Sequence, residues 1–225
     1  MKKIALLFTV ILISNYCTKK PEATKEEATL WLLLNQVTFL NKTDLYTHYS
    51  DRCLTPNPFG IVSEKVTESL SEFTKSFTSD QIKHDNLKID LINTIYVKVP
   101  RELTQLSQEG YTEVEGKIYS LVSESLANDD YETFILRILL IEDVVVNSNF
   151  LTDLSKKRIL VYSAALKSIS TFIHEVSIQA KVAETWEECF IRKQRDMGFF
   201  EGLACVASWP ICLGAMAADC LIETR

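Results

Sequence analysis

Glycine and proline are scarce, at 6 and 5 in 225 residues. With so few places to reverse sharply, the chain is poorly suited to many short strands joined by tight turns and well suited to long helices. The six glycines form neither a Gly-x-Gly-x-x-Gly nor a P-loop, which removes the backbone cradles that hold nucleotide phosphates. A Gly-x-Ser-x-Gly elbow is missing too, so the hydrolases built on that turn have no support. Histidine occurs three times. His174-Glu175 begins as a zincin helix does, but Ile178 stands where the second imidazole belongs. His48 lies four residues after Asp44, which suits a surface pair on one helix face better than a two-ligand metal site; His84 has no evident partner. Basic residues are outnumbered, 24 Lys and Arg against 30 Asp and Glu, for a net charge of −6. Such a chain has no electrostatic reason to seek nucleic acid or anionic head groups. No metal, no other cofactor and no enzymatic activity are expected.

What the sequence does have is apolar residues, 47 % of the total, at helical spacing. Thr24-x-x-Glu27 is a capping-box pattern, and Leu30, Trp31, Leu33, Leu34, Val37 and Leu40 then follow the i, i+3, i+4, i+7 rhythm of a core-facing stripe. Tyr46 to Gly60, with Pro56, Asn57, Pro58 and Gly60, reads as the clearest loop. Ser63 to Phe77 is amphipathic, with Val66, Leu70, Phe73 and Phe77 opposite Glu64, Lys65, Glu68 and Lys75. Residues 79 to 99 fit both a strand period and a helix. Helix is preferred, because no second strand exists to pair with a first, and Pro100 sets a boundary at Val99. A polar stretch from 101 to 126, interrupted at Gly110, leads to Asn128-Asp-Asp, a cap for the next helix. That helix is apolar nearly all round from Phe134 to Val146 and is expected at the centre of the fold. Glu142-Asp143 within it reads as its narrow polar face in preference to a desolvated acid. Thr152 opens a long helix through Leu154, Val161, Ala165, Ile169, Phe172, Ile173 and Val176, and Thr185-x-x-Glu188 caps another.

At the start of the chain, Lys2 and Lys3 precede the uncharged apolar run Ile4 to Ile13, followed by Ser14-Asn-Tyr-Cys17 and an abruptly charged stretch. This is the form of a secretory signal, far short of the roughly 20 residues that span a bilayer as a helix. The cysteine closing the run resembles the lipobox of bacterial lipoproteins, although Ser14 and Tyr16 differ from the residues usual there. The resemblance covers only the first seventeen residues or so. It implies cleavage of residues 1–16, acylation of Cys17 with palmitate-like chains, and anchoring in a cell-envelope membrane. Residues 17–24 then form a lipidated tether, 25–184 a helical domain and 185–225 a cysteine-rich helical segment packed on it. Loss of Lys2 and Lys3 takes Lys and Arg from 24 to 22 against 30 acids, a mature charge of −8.

Four of the six cysteines, Cys189, Cys205, Cys212 and Cys220, fall in that last segment. Their spacings lack the paired Cys-x(2 to 4)-Cys knuckles of a four-thiolate zinc site, and clustered thiols in an exported chain become bridges. A Cys-His nucleophile is disfavoured for the same reason. Residues seven or eight apart on one helix are about 10 to 12 Å apart along its axis, beyond the roughly 4.4 to 6.8 Å between bridged Cα atoms. Neighbouring cysteines therefore pair only across a bend. Pro210, favoured at a first helical position, offers one between Cys205 and Cys212 and leaves Cys189 for Cys220. The competing arrangement joins Cys189 to Cys205 across Gly198 and leaves Cys212 or Cys220 for Cys53. In the preferred, nested arrangement Cys53 is free or pairs between chains.

The expected architecture is all-α, a helical bundle with a cysteine-rich C-terminal helical hairpin. The expected function is that of a lipid-anchored, non-catalytic binding or structural module. An alternative follows from Gly202 to Ala218, which carries no charge, and from the small-residue motif Gly198-x-x-x-Gly202: a membrane-active or toxin-like protein inserting this hairpin. A third, a hydrolase with an unrecognised site, requires His174 or Glu142 in a deep pocket with convergent polar groups.

Overall fold

The structure, a computed structural model, describes residues 24–51, 53–76, 84–106, 110–180 and 185–224. Within them the fold is all-α, with eleven helices and no strand. In chain order these are α1 (Lys25–Phe39), α2 (Lys42–Asp51), α3 (Gly60–Ser76), α4 (His84–Lys98), α5 (Arg101–Thr104) and α6 (Glu113–Asn128). There follow α7 (Tyr131–Asn147), α8 (Asp153–Ala180), α9 (Trp186–Asp196), α10 (Phe199–Ala207) and α11 (Trp209–Glu223). The leader, Cys17, Phe77 and the side chains of His84 and Leu87 lie outside the described residues.

Local chemistry sets the helix starts. Thr24 Oγ1 accepts the Glu27 amide at 3.1 Å, and Thr112 with Glu115 and Thr185 with Glu188 form reciprocal capping boxes. Asp130 caps α7 through the Thr133 amide at 2.9 Å, which holds its carboxyl below the usual range. Two expectations are corrected. Tyr46 to Asp51 are helical, because Asn41 caps α2 through the Asp44 amide at 3.0 Å and Leu45 is fully buried; the breakers act only from Pro56 on. Leu154 is 47 % exposed, because the inward phase of α8 is set by Ser155, Arg158, Ile159 and Tyr162.

The centre of the bundle is α8, not α7. It packs against α3, α6, α7, α9, α10 and α11, and from Arg158 to Ser170 every residue but Lys167 is buried. Residue size explains the exchange. Ser163, Ala164, Ala165, Ser168 and Ser170 let neighbours approach from several sides, whereas the bulky aliphatics of α7 fill one thick layer between α8 and the α1–α2 pair. Ser163 and Ser168 also find partners. Ser63 Oγ on α3 donates to the Ala164 carbonyl at 2.9 Å, and Ser168 Oγ donates to the Ser63 carbonyl at 2.8 Å. α4 lies between α3 and α11, where Gly214 allows close approach to Ile92 and Ile95.

Charged side chains inside this core are paired. Arg137 donates to the carbonyls of Val37, Thr38 and Leu40 at the end of α1 and to the Asp129 carboxylate at 2.7 Å. It thereby caps α1 with a cation at the negative end of the helix dipole. Arg158 and Glu115 meet at 3.3 Å with side chains 1 % exposed, the guanidinium lying over the Tyr111 ring. Gln194 Nε2 donates to the phenol oxygens of Tyr162 at 2.7 Å and Tyr119 at 3.2 Å.

Tyr119 rests directly on the backbone of α10, where a Cβ on Gly202 would stand 2.0 Å from its ring. Gly202→Ala is expected to destabilise the protein by about 1–3 kcal/mol in chemical denaturation. Gly60→Ala, with nothing within 4 Å, serves as the near-neutral control. Tyr162 supplies a second test, because burial holds its hydroxyl well above the ordinary value of about 10. A group kept protonated by the fold contributes stability at low and neutral pH that is lost as pH rises past about 10. Tyr162→Phe is expected to lower stability at neutral pH, by removing one of the two phenols that Gln194 binds, and to flatten the alkaline fall. An alkaline unfolding curve with the wild-type slope would refute the assignment.

Candidate functional site

The segment from Thr185 onward is tied down by two disulfides and two indole hydrogen bonds. Thr185 starts α9 so that Cys189, one turn in, faces the core, while α10 and α11 meet at a bend of 109°. Ser208 ends α10 and Pro210 sits in the first turn of α11, where its missing amide costs no hydrogen bond. The bend brings Cys205 and Cys212 to a Cα separation of 5.2 Å, and they are bridged. Cys189 is bridged to Cys220 at 5.5 Å. This is the nested one of the possible pairings, with the second bridge fully buried. Two indoles pin the same unit: Trp186 Nε1 donates to the Ala217 carbonyl at 2.8 Å and Trp209 Nε1 to the Leu103 carbonyl at 2.7 Å. On the rim Lys193 pairs with Glu223 at 2.7 Å, and Asp219 pairs with Lys88 of α4.

Outside the bend is an open groove of about 550 Å³ lined by Met197, Ala204, Cys205, Ile211, Cys212 and Met216. Cys205 is 2 % exposed and Cys212 is half-buried, with its Sγ 3.9 Å from Met197 Sδ. Lys193, Asp196 and Glu201 stand around it. A second cleft, of about 320 Å³, lies between the start of α1 and the end of α7, with Leu30, Leu33 and Val144 on its walls and Lys25, Asp143 and Asn147 among its polar groups.

The residues singled out for chemistry do not converge. Glu142 is buried, and both its oxygens are engaged: Oε1 accepts from Ser163 at 2.7 Å and Asn57 at 2.8 Å, and Oε2 pairs with Lys167 at 2.7 Å. Asp143 accepts the Thr55 amide at 2.8 Å and the Asn147 amide group at 2.9 Å. His174 Nδ1 meets Glu187 at 2.9 Å, and its ring stacks on Tyr131 with centroids 3.9 Å apart. Asp44 Oδ2 accepts from the Asn41 side-chain amide at 2.8 Å while its own backbone amide donates to Asn41 Oδ1, and His48 is half-buried on the same helix. Cys53 is exposed and unpaired. Neither His174 nor Glu142 lines the two clefts above. Arg137, Arg158 and Gln194 escaped sequence reasoning. Arg137 meets α1 across about a hundred positions, and Arg158 and Gln194 reach Glu115 and Tyr119 across 43 and 75, so no local pattern marks them.

The two bridges close spans of 31 and 7 residues. Loop-closure entropy then gives a loss of about 4 kcal/mol for Cys189→Ser/Cys220→Ser and about 2 kcal/mol for Cys205→Ser/Cys212→Ser. Urea denaturation of the two double variants is expected to show that order, and a dithiol is expected to open the half-buried bridge first. Comparison with protein-family models, with curated proteins and with solved structures finds no match for this chain.

Proposed function

We propose that the protein is a lipid-anchored component of a bacterial cell envelope that acts as a non-catalytic binding or structural module. The observation that carries this reading is the leader: Lys2 and Lys3, the apolar run Ile4 to Ile13, and Cys17 at its end. Two features support it. Paired disulfides in the segment beyond residue 185 belong with an oxidising compartment. The buried carboxylates Glu115 and Glu142 are consumed by ion pairs and hydrogen bonds inside the bundle, which leaves them no role as general acids or bases.

Membrane insertion of the α10–α11 corner is less favoured. Among the described residues no single helix is long and apolar enough to cross a bilayer; the bent pair Glu201–Ala207 and Trp209–Glu223 passes only jointly. Insertion would expose Trp209, Leu213, Ala217 and Ala218, each buried in the common core. Withdrawal of the corner would open to water the core side chains that these four cover, at a cost of about 1.5–3 kcal/mol for each large aliphatic left exposed.

In a bacterial host, globomycin is expected to leave the precursor uncleaved. Cys17→Ser is expected to abolish acylation, seen as loss of the lipid increment in intact mass. A Cys17→Ser chain that matures normally and stays in membranes after carbonate extraction would overturn the anchor and favour insertion. Leakage of vesicles by that same chain would do the same.

A further inference from the structure

We propose that the groove at the α10–α11 bend, once its Cys205–Cys212 disulfide is reduced, binds a soft monovalent cation of the copper(I) class through Cys205, Cys212, Met197 and Met216. The starting observation is where sulfur is found. Of three methionines in the sequence, one is Met1; the other two, Met197 and Met216, line the one groove that also contains Cys205 and Cys212. The arrangement follows from the backbone. Met197 ends α9 with its Sδ 3.9 Å from Cys212 Sγ. Cys212 and Met216 are four residues apart on α11 and share a face. Cys205 arrives from α10 and is already bonded to Cys212. Four sulfur-bearing residues from three parts of the chain therefore line one groove.

Ligand type decides which metal fits. Thiolate and thioether donors select copper(I), whereas calcium and magnesium demand oxygen, and zinc takes thiolate, imidazole or carboxylate. A set of two thiolates and two thioethers with no imidazole is accordingly a poor zinc site and a good copper(I) site. The surroundings agree. Ile211, 48 % exposed, and Ala204 supply an apolar wall beside the sulfur-bearing residues.

The disulfide acts as a gate, and its chemistry balances with a dithiol as reductant. A thiolate of that dithiol attacks Cys212 Sγ, the more exposed sulfur, and the Sγ–Sγ bond breaks with its electron pair leaving on Cys205. The second thiol of the reductant then displaces Cys212 and closes its own disulfide. Two electrons have passed to the protein, the two protons of the dithiol end on Cys205 and Cys212, and copper(I) releases them to solvent on binding. Throughout, the fully buried Cys189–Cys220 bridge keeps α9 beside α11 while the outer bridge is open.

The test uses the mature chain with Cys53→Ser, treated anaerobically with dithiothreitol and desalted. Alkylation followed by mass analysis is expected to label two thiols, Cys205 and Cys212. Copper(I) supplied as its bicinchoninate complex is then expected to load one ion per chain in the reduced protein and none in the oxidised protein, with only sulfur neighbours in X-ray absorption. Met197→Leu/Met216→Leu, which keeps both thiols, is expected to weaken binding by at least about tenfold. Excess zinc(II) is expected not to displace the copper. Equal loading of oxidised and reduced protein, nitrogen or oxygen neighbours, displacement by zinc, or unchanged affinity in the methionine double variant each overturns the proposal. Should Cys205→Ser/Cys212→Ser fail to fold by circular dichroism, the methionine variant decides.

Discussion

The enclosure of α8 is the constraint on which the rest of the structure depends. A helix of 28 residues buried for most of its length presents backbone cylinder to neighbours on every side, so its side chains must be small wherever two neighbours converge. Ser163, Ala164, Ala165, Ser168 and Ser170 meet that requirement. Ser163 and Ser168 add a second one, since their hydroxyls are carried into the interior together with hydrogen-bond partners. Hydrogen bonds from Ser63 to the Ala164 carbonyl and from Ser168 to the Ser63 carbonyl therefore fix the register of α3 on α8.

The same enclosure accounts for the buried charges. Arg158 and Lys167 lie on α8 and find Glu115 on α6 and Glu142 on α7, so two of the helices around the centre are held by ion pairs as well as by apolar contact. Such pairs contribute little net stability over an apolar filling, but removal of one partner costs about 3–5 kcal/mol because the other charge is stranded. They act chiefly against misplacement, since a helix packed in another orientation leaves a charge without its counterpart. Arg137 does the corresponding work at the periphery, joining the end of α1 to the start of α7.

Most of the helices were legible because their signals are local. The Thr185 capping box, the Pro100 boundary and the stripe of Leu30, Leu34 and Val37 each depend on residues a few positions apart. The pairing of the four clustered cysteines was legible only as a preference: helical rise forbids bridging across seven residues without a bend, and Pro210 marks one, but Gly198 offers another to the competing pairing. What could not be read depended on distance or on relative size. The helical state of Tyr46 to Asp51 rests partly on Leu45 reaching the core, and the central place of α8 on how closely six neighbours can approach it. Hydropathy ranks α7 higher, because it scores Ile, Leu and Val above Ser and Ala and takes no account of helix separation. The sulfur groove could not be read, because only the bend brings Met197 to Cys212.

Nesting has a further consequence for how the chain closes on itself. The short bridge lies inside the long one, so joining Cys205 to Cys212 trims the span between Cys189 and Cys220 from 31 residues to an effective length of about 25. On a logarithmic scale that trimming is worth only about 0.2 kcal/mol. Its effect is on direction. A chain already turned through 109° at Trp209 sends α11 back across α9, so Cys220 returns towards Cys189 instead of wandering through the full volume the segment can reach. The corner is thus a steering device for the larger ring, and the two bridges are linked through the path of the chain.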